Sequence, residues 1–415
     1  MGNSRNFSYI TRTIWILSLV SLFTDTASEM LYPIMPIYLR SIGFSMVLIG
    51  ILEGVAEATA GLSKGYFGKL SDQLGRRAPF VRLGYSLSAI SKPLLAFFIN
   101  VWWVFFARTI DRLGKGIRTG ARDALLSDES NPQNKAKVFG FHRSMDHTGA
   151  IIGPVLATVF LYFLPDRYRL LFALTAIPGA IAVAMLFLVR EDDDGEDRAS
   201  RSRPDDRLLP GRRGEAVTTH AAPLPGRLYA LLAVILIFSL GNSADAFLLL
   251  RLSDALGAAT YVPLLWSAHH VVKAGLSTWG GGLSDRVGRK QVIVAGWIVY
   301  AVVYLGFAWS ASTVAFIAWF LIYGVYFALT EGAEKALVAD LTPVSRQGTA
   351  FGLYYAALGA GALVASVMFG YIYDHFGASR AFTVGAGLAG IAAIALFFVP
   401  SVKMNSSNAA YSRNQ

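Results

Sequence analysis

Seven charged residues stand inside a stretch of mostly apolar and small residues: Arg108, Asp111, Arg112, Lys115, Arg118, Arg122 and Asp123, within 101–127. At about 100° per residue on a helix they fall within a sector of roughly 140°. A charge at bilayer depth costs at least ~2.5–3.5 kcal/mol even on the lenient insertion scale, so these bases require a wet cavity or acidic partners. Two chemistries fit. A guanidinium fork grips carboxylate or phosphate, which makes Arg108, Arg112, Lys115 and Arg118 candidates for holding an anionic or zwitterionic solute. Alternatively Asp25, Glu29, Asp111 and Asp123 neutralise the bases, and the network is structural or gating. Arg112, Lys115 and Arg118 are expected near mid-depth, and Arg108 nearer the outer side. Arg122 and Asp123 are expected nearer the cytoplasm, as gate residues.

Further polar groups punctuate other apolar stretches. Asp25 and Glu29 are spaced i, i+4, as are Glu53 and Glu57, so each pair shares a helix face. Asn242 and Asp245 lie in a later stretch, and Glu331, Glu334 and Lys335 follow Tyr323 and Tyr326. Asp25, Glu29, Arg108, Arg112, Lys115, Arg118, Asp245, Tyr323 and Glu331 are the candidates for a substrate surface. A coupling proton needs a carboxylate or imidazole whose proton affinity changes with its surroundings. Glu29, Glu57, Asp146, His147, Asp245 and Glu331 are the candidates. His269-His270 has no spaced third ligand, and no zinc-protease, phosphate-loop or dinucleotide motif is present. The expectation is therefore no metal, no cofactor, no catalytic residues, no enzyme and no ATP-driven pump.

The elements that must position these groups are read from hydropathy. The chain is 54% hydrophobic and 15% charged, with mean hydropathy +0.48. Runs of about 20 apolar residues span a bilayer. Twelve occur, near 13–40, 45–69, 80–98, 101–127, 136–164, 168–189, 228–251, 260–284, 291–309, 312–340, 347–374 and 380–400. Barrel strands would be shorter and alternating, so the fold class is an all-α integral membrane protein. The first run carries Asp25 and Glu29 and lacks a cleavage site, so it reads as a membrane helix. Cysteine is absent, which removes disulfide chemistry. The net charge of +10 reflects basic turns rather than nucleic-acid binding. Arg76, Arg77, Lys135, Lys137, Arg286, Arg289 and Lys290 fall where a cytoplasmic N-terminus puts inside loops, whereas Arg167 and Arg169 oppose the trend. The expected arrangement is an N-terminal six-helix bundle (1–189), a charged, Pro-containing cytoplasmic linker (190–226), a C-terminal six-helix bundle (227–400) and a disordered tail (401–415). Both termini are expected in the cytoplasm, and the chain in the cytoplasmic membrane.

The halves are copies. Gly68-Lys69-Leu70-Ser71-Asp72-Gln73-Leu74-Gly75-Arg76-Arg77 matches Gly281-Gly282-Leu283-Ser284-Asp285-Arg286-Val287-Gly288-Arg289-Lys290 at an offset of 213. Asp123 to Asp128 matches Lys335 to Asp340 at an offset of 212, as does Phe139-Gly140 with Phe351-Gly352. Both turns resemble the G-x-L-[AS]-D-x-x-G-R-[RK] signature of the major facilitator superfamily. Gly149-Ala150-Ile151-Ile152-Gly153-Pro154 resembles the start of that family's antiporter motif, with Ala157 and Thr158 in place of its last glycines. The resemblance covers all but the linker and tail.

The resemblance implies twelve transmembrane helices in two pseudo-symmetric bundles rocking about a central site. Helices 1, 4, 7 and 10 would line that site, and helices 2, 5, 8 and 11 would form the moving interface. It also implies a latch at Asp72, Arg76, Asp285 and Arg289. Arg122, Asp123, Gly149, Gly153, Pro154, Glu334 and Lys335 complete the expected gating set. The expected function is secondary active transport of a charged or zwitterionic small organic solute by alternating access. Proton coupling is expected, and the Gly-Pro motif tilts the reading towards export. The rivals are a drug or cation exporter with a structural charge network, and a lipid flippase. The expected partners are the solute, protons and the bilayer, for a monomer that binds no nucleic acid.

Overall fold

The computed structural model describes residues 10–74, 76–130, 134–189, 224–343 and 346–400. Most of the expected linker, 190–223, and the tail 401–415 lie outside the described residues. Among the described residues the helices form twelve spans: α1 Arg12–Ser41, α2 Met46–Leu74, α3 Ala78–Leu94, α4 Val101–Asp128, α5 Lys135–Phe163, α6 Tyr168–Leu186, α7 Gly226–Leu256, α8 Val262–Val287, α9 Arg289–Trp309, α10 Thr313–Asp340, α11 Gln347–Phe376 and α12 Ala378–Phe398. Among the described residues, nine candidate spans are long and apolar enough to cross a membrane by composition. The charge-rich α4 is not one of them.

The duplication reaches the helix ends. Asn100 caps α4 by accepting a bond from the Trp102 amide, and Ser312 caps α10 by accepting from the Ala315 amide. These caps satisfy amides that helix starts leave unpaired. The two caps are 212 residues apart, and both helices run for 28 residues, to Asp128 and Asp340.

Three spans are broken, which the hydropathy pattern did not indicate. α1 consists of Arg12–Leu31 and Met35–Ser41, separated by a turn that includes Pro33, with Pro36 opening the second piece. Proline supplies no amide and clashes with the preceding turn. α6 divides at Thr175 between Tyr168–Leu174 and Ala176–Leu186. α7 divides between Gly226–Gly241 and Ala246–Leu256 with no proline at the break. There the freed backbone is met by side chains: Tyr300 Oη donates to the Gly241 carbonyl (2.9 Å), and the Ala244 amide donates to Ser366 Oγ (3.3 Å). Irregular backbone at membrane depth persists only with such internal partners. Tyr32 at the first break and Asp245 at the third are 213 residues apart, so the breaks are equivalent in the two halves.

Close backbone approach holds α4 against α3: a methyl on Gly84 would lie 2.6 Å from the Gly114 carbonyl oxygen, and one on Gly114 would lie 2.6 Å from that of Gly84. This contact turns the charged stripe of α4 towards the N-terminal bundle's interior. In the other half, the fully buried rings of Trp297 and Tyr300 pack with Phe238, whose ring stacks on Trp297 at 4.5 Å, and the buried Tyr304 ring stacks on Tyr300.

The bundles meet most tightly along α2 and α11. A methyl on Gly50 would lie 2.1 Å from the Ser366 carbonyl oxygen, one on Gly370 would lie 2.4 Å from that of Met46, and one on Gly61 would lie 2.9 Å from that of Tyr355. Towards the chain termini the helices diverge: at Gly65 the nearest atom is 3.8 Å away, and at Gly68 nothing lies within 4 Å. The end remote from the termini is sealed further by an Arg40–Asp254 ion pair between α1 and α7. There the Asp374 carboxylate of α11 also accepts bonds from the Met46 and Val47 amides at the start of α2 (3.1 and 2.9 Å).

Candidate functional site

A cavity of about 400 Å³ lies between the bundles. α2 contributes Glu57, Gly61 and Lys64 to it, and α1 contributes Tyr32. From the C-terminal bundle come Asn242 and Asp245 of α7, Lys273 of α8, Tyr323 to Lys335 positions of α10, and Tyr354 and Tyr355 of α11. A second, nearly filled cavity of about 30 Å³ lies within the N-terminal bundle, lined by Asp25, Glu29, Lys92, Arg108, Asp111, Arg112, Lys115 and Arg118. Tyr32 borders both.

The basic stripe of α4 therefore faces the small cavity rather than the large one, and its members are largely engaged. Arg108, only 3% exposed, makes a bidentate pair with Glu53 of α2 (3.0 and 2.8 Å) and lies 3.7 Å from Asp111. Arg112 lies 3.4 Å from Glu57 and 4.0 Å from Asp111, and Lys92 of α3 bonds Asp111 at 2.9 Å. Arg118 donates to Ser88 Oγ (2.6 Å) and lies over the Tyr85 ring. Arg122 pairs with Asp123 at 2.8 Å. The acids that neutralise Arg108 and Arg112 thus come from α2 and from α4 itself. Asp25 and Lys115 sit in the small cavity without an ion pair inside 4 Å among the described residues. Glu29 turns towards the other bundle, accepting from Trp266 Nε1 (2.7 Å) with His270 at 3.9 Å.

The acids of the C-terminal bundle also find partners away from α4. Glu331 gathers Arg143 of α5, Lys273 of α8 (3.3 Å) and Lys335 (3.2 Å), and so ties the two bundles together. Glu334 is buried, accepting from Trp297 Nε1 and Tyr354 Oη, both at 3.0 Å. Asp245 accepts from Tyr323 Oη (2.7 Å). Asp146 is buried in α5, where it accepts from Ser21 and lies 3.5 Å from His142. Neither Asp146 nor the neighbouring His147 lines either cavity.

The expected gate residues divide. The Asp72 side chain and Gly75 lie outside the described residues. Arg76 is exposed, while its neighbour Arg77 pairs with Asp128 at the end of α4. In the second half Arg289 bonds Asp285 and reaches Asp340 at 3.3 Å. In its ion pair with the end of α4, Arg77 corresponds to Arg289 with the end of α10, at the offset of 212 that relates Asp128 to Asp340. Gly149 and Gly153 take α5 against α1, where added methyls would lie 2.4 and 2.5 Å from the Leu22 and Thr26 carbonyl oxygens. These contacts and Pro154, which lies inside α5, belong to the N-terminal bundle.

Hydropathy and charge spacing passed over Tyr32, Lys64, Lys92 and Tyr355. Their legible signals were the Pro33–Pro36 punctuation beside Tyr32 and the seven-residue spacing of Glu57 and Lys64, two turns along one face.

Comparison with known proteins adds to this geometry. A family model described as Major Facilitator Superfamily matches residues 17–277 and 230–413. An uncharacterized MFS-type transporter of Methanocaldococcus jannaschii is 32% identical over 96% of this chain and 97% of its own. Among solved structures, the nucleoside transporter NupG aligns with a TM-score of 0.73 at 13% identity, covering 95% of this chain and 100% of its own. A D-xylose-proton symporter aligns with a TM-score of 0.72 at 18% identity, covering 95% and 98%. The structural likenesses establish the twelve-helix fold, and the family match over nearly the whole sequence shows that this chain is a membrane transporter of the Major Facilitator Superfamily.

Proposed function

We propose that the protein is a secondary active transporter that carries a small charged organic solute by alternating access through the cavity between its bundles. The observation that carries this reading is the cavity itself: about 400 Å³, lined from both bundles and rich in charge. That volume is on the scale of small-molecule sites. The solute binds the central cavity chiefly through C-terminal residues, with Asp245, Tyr323 and Glu331 on its wall. The α4 arginines act one layer out, holding Glu53 and Glu57 in place. Of the carboxylates considered for proton coupling, Asp245 has the fewest ionic partners, whereas Glu57, Asp146 and Glu331 already face bases. The turn motifs around Asp72 and Asp285 latch the terminal end in the opposite state, with Arg77 and Arg289 anchoring them to α4 and α10. Both termini face the cytoplasm, the working unit is the monomer, and the direction is export.

The cation-exporter reading has one observation in its favour. The α4 bases Arg108, Arg112 and Arg122 are met by Glu53, Glu57, Asp111 and Asp123, which is the internal network that reading requires.

The test is thermal stabilisation of purified protein across anions, zwitterions and cations, followed by counterflow of the best stabiliser in proteoliposomes. Accumulation of that solute, abolished by Asp245→Asn, is the expected result. Stabilisation with no flux would contradict a transport role.

A further inference from the structure

We infer that the central cavity takes a zwitterion lengthwise, with an ammonium group at Asp245 and the anionic group at Lys64. This rests on the transporter reading and adds the polarity and charge separation of the solute.

Pairing within the cavity leaves few charges free. Glu57 is met by Arg112, and Glu331 by Lys273, Lys335 and Arg143. Glu334 has each carboxylate oxygen occupied by one neutral donor. Asp245 differs: Oδ1 accepts from Tyr323, and no lysine or arginine nitrogen comes within 4 Å among the described residues, which leaves Oδ2 for a ligand. Its position is fixed by the break in α7, which presents it at the cavity wall. Beside it on the wall stand Tyr323 and Tyr326, whereas the Tyr32 ring already carries Arg108 and Arg112 and the Phe327 ring carries Lys273. The rings of Tyr323 and Tyr326 lie 5.6 Å apart and near parallel. A carboxylate at membrane depth is costly without a cation, and aromatic faces attract ammonium groups. Together they describe a seat for an organic ammonium.

Lys64 is the complementary group. It lines the same cavity, has no carboxylate within 4 Å among the described residues, and its Nζ lies over the Tyr355 ring at 5.1 Å. On α2 it stands two turns from Glu57, about 10 Å along the axis. Tyr355, under Lys64, and Ser366, which the Ala244 amide beside Asp245 bonds, stand eleven residues apart on α11, about 16 Å along its axis. The free acid and free base are therefore separated along the cavity by on the order of 10 Å or more. An α-amino acid, whose charges are a few ångströms apart, meets one of them but not both. A longer zwitterion meets both, and it joins Lys64 of one bundle to Asp245 of the other.

The experiment measures stabilisation of the purified full chain by glycine, 4-aminobutanoate, 6-aminohexanoate and 8-aminooctanoate, beside octylamine and octanoate. The expected result is a rise with chain length, with the longest amino acid binding at least tenfold more tightly than either singly charged analogue. Asp245→Asn should remove binding of octylamine and weaken that of 8-aminooctanoate, while Lys64→Gln weakens 8-aminooctanoate and spares octylamine. Equal binding of octylamine and 8-aminooctanoate, unaffected by Lys64→Gln, would reduce the site to a cation site and overturn the inference. So would no binding anywhere in the series by a protein whose variants retain the parent's melting temperature. Failure of the transporter reading is read separately, from spin-label distances across the two ends of the bundle, which need no ligand.

Discussion

At the scale of single residues, the charges of α4 divide between a buried network and an open cavity. Arg108 and Glu53, both nearly inaccessible, form the most enclosed pair. Removing one partner of such a pair strands the other charge and costs about 3–5 kcal/mol, whereas replacing both with apolar residues is often close to neutral. Arg108→Ala should therefore lower the melting temperature markedly, and Arg108→Leu with Glu53→Leu should recover much of the loss. An unchanged melting temperature in Arg108→Ala, with transport lost, would instead put Arg108 on the solute. The sequence made the acids and bases visible but not their pairing. Helical spacing shows which residues share a face, not which neighbouring face they meet. Asp25 and Glu29 looked as available to α4 as Glu53 and Glu57. The close packing of α2 against α4 brings Glu53 and Glu57 to the arginines, while Trp266 and His270 engage Glu29.

At the scale of elements, the α2–α11 seam determines which end is closed. Asp374 caps the start of α2 from the other bundle, so this contact exists only while the end remote from the termini is shut. Loss of a side-chain cap costs about 1 kcal/mol, which is roughly a fivefold change in an equilibrium. Asp374→Ala should shift the population towards opening at that end by about this factor. The check is the labelling rate of a cysteine replacing Ser243, with a bulky maleimide added from that side. An unchanged rate would remove Asp374 from the seal. The helices themselves were legible from hydropathy to within a few residues. The break at 32–34 is marked by Pro33, but the break at 242–245 was not legible, because α7 is interrupted by tertiary hydrogen bonds to Ser366 and Tyr300 rather than by proline. Those breaks place Tyr32 and Asp245 on the cavity wall.

At the scale of the whole molecule, the duplication is the organising fact. It appears in the paired turns, in the caps at Asn100 and Ser312, and in the pairs Arg77–Asp128 and Arg289–Asp340. Two equivalent bundles joined along seams can exchange which end is closed, and a cavity lined from both is then exposed to each side in turn. The absence of cysteine makes this directly measurable. Spin labels at Ser41→Cys with Ala255→Cys report the end remote from the termini, and labels at Lys69→Cys with Gly348→Cys report the terminal end. Electron–electron distance measurements on the reconstituted protein should give two populations for each pair. Conditions that lengthen the first distance should shorten the second. A single fixed distance at both ends, or changes of the same sign, would contradict alternating access and with it the transport mechanism proposed for this chain.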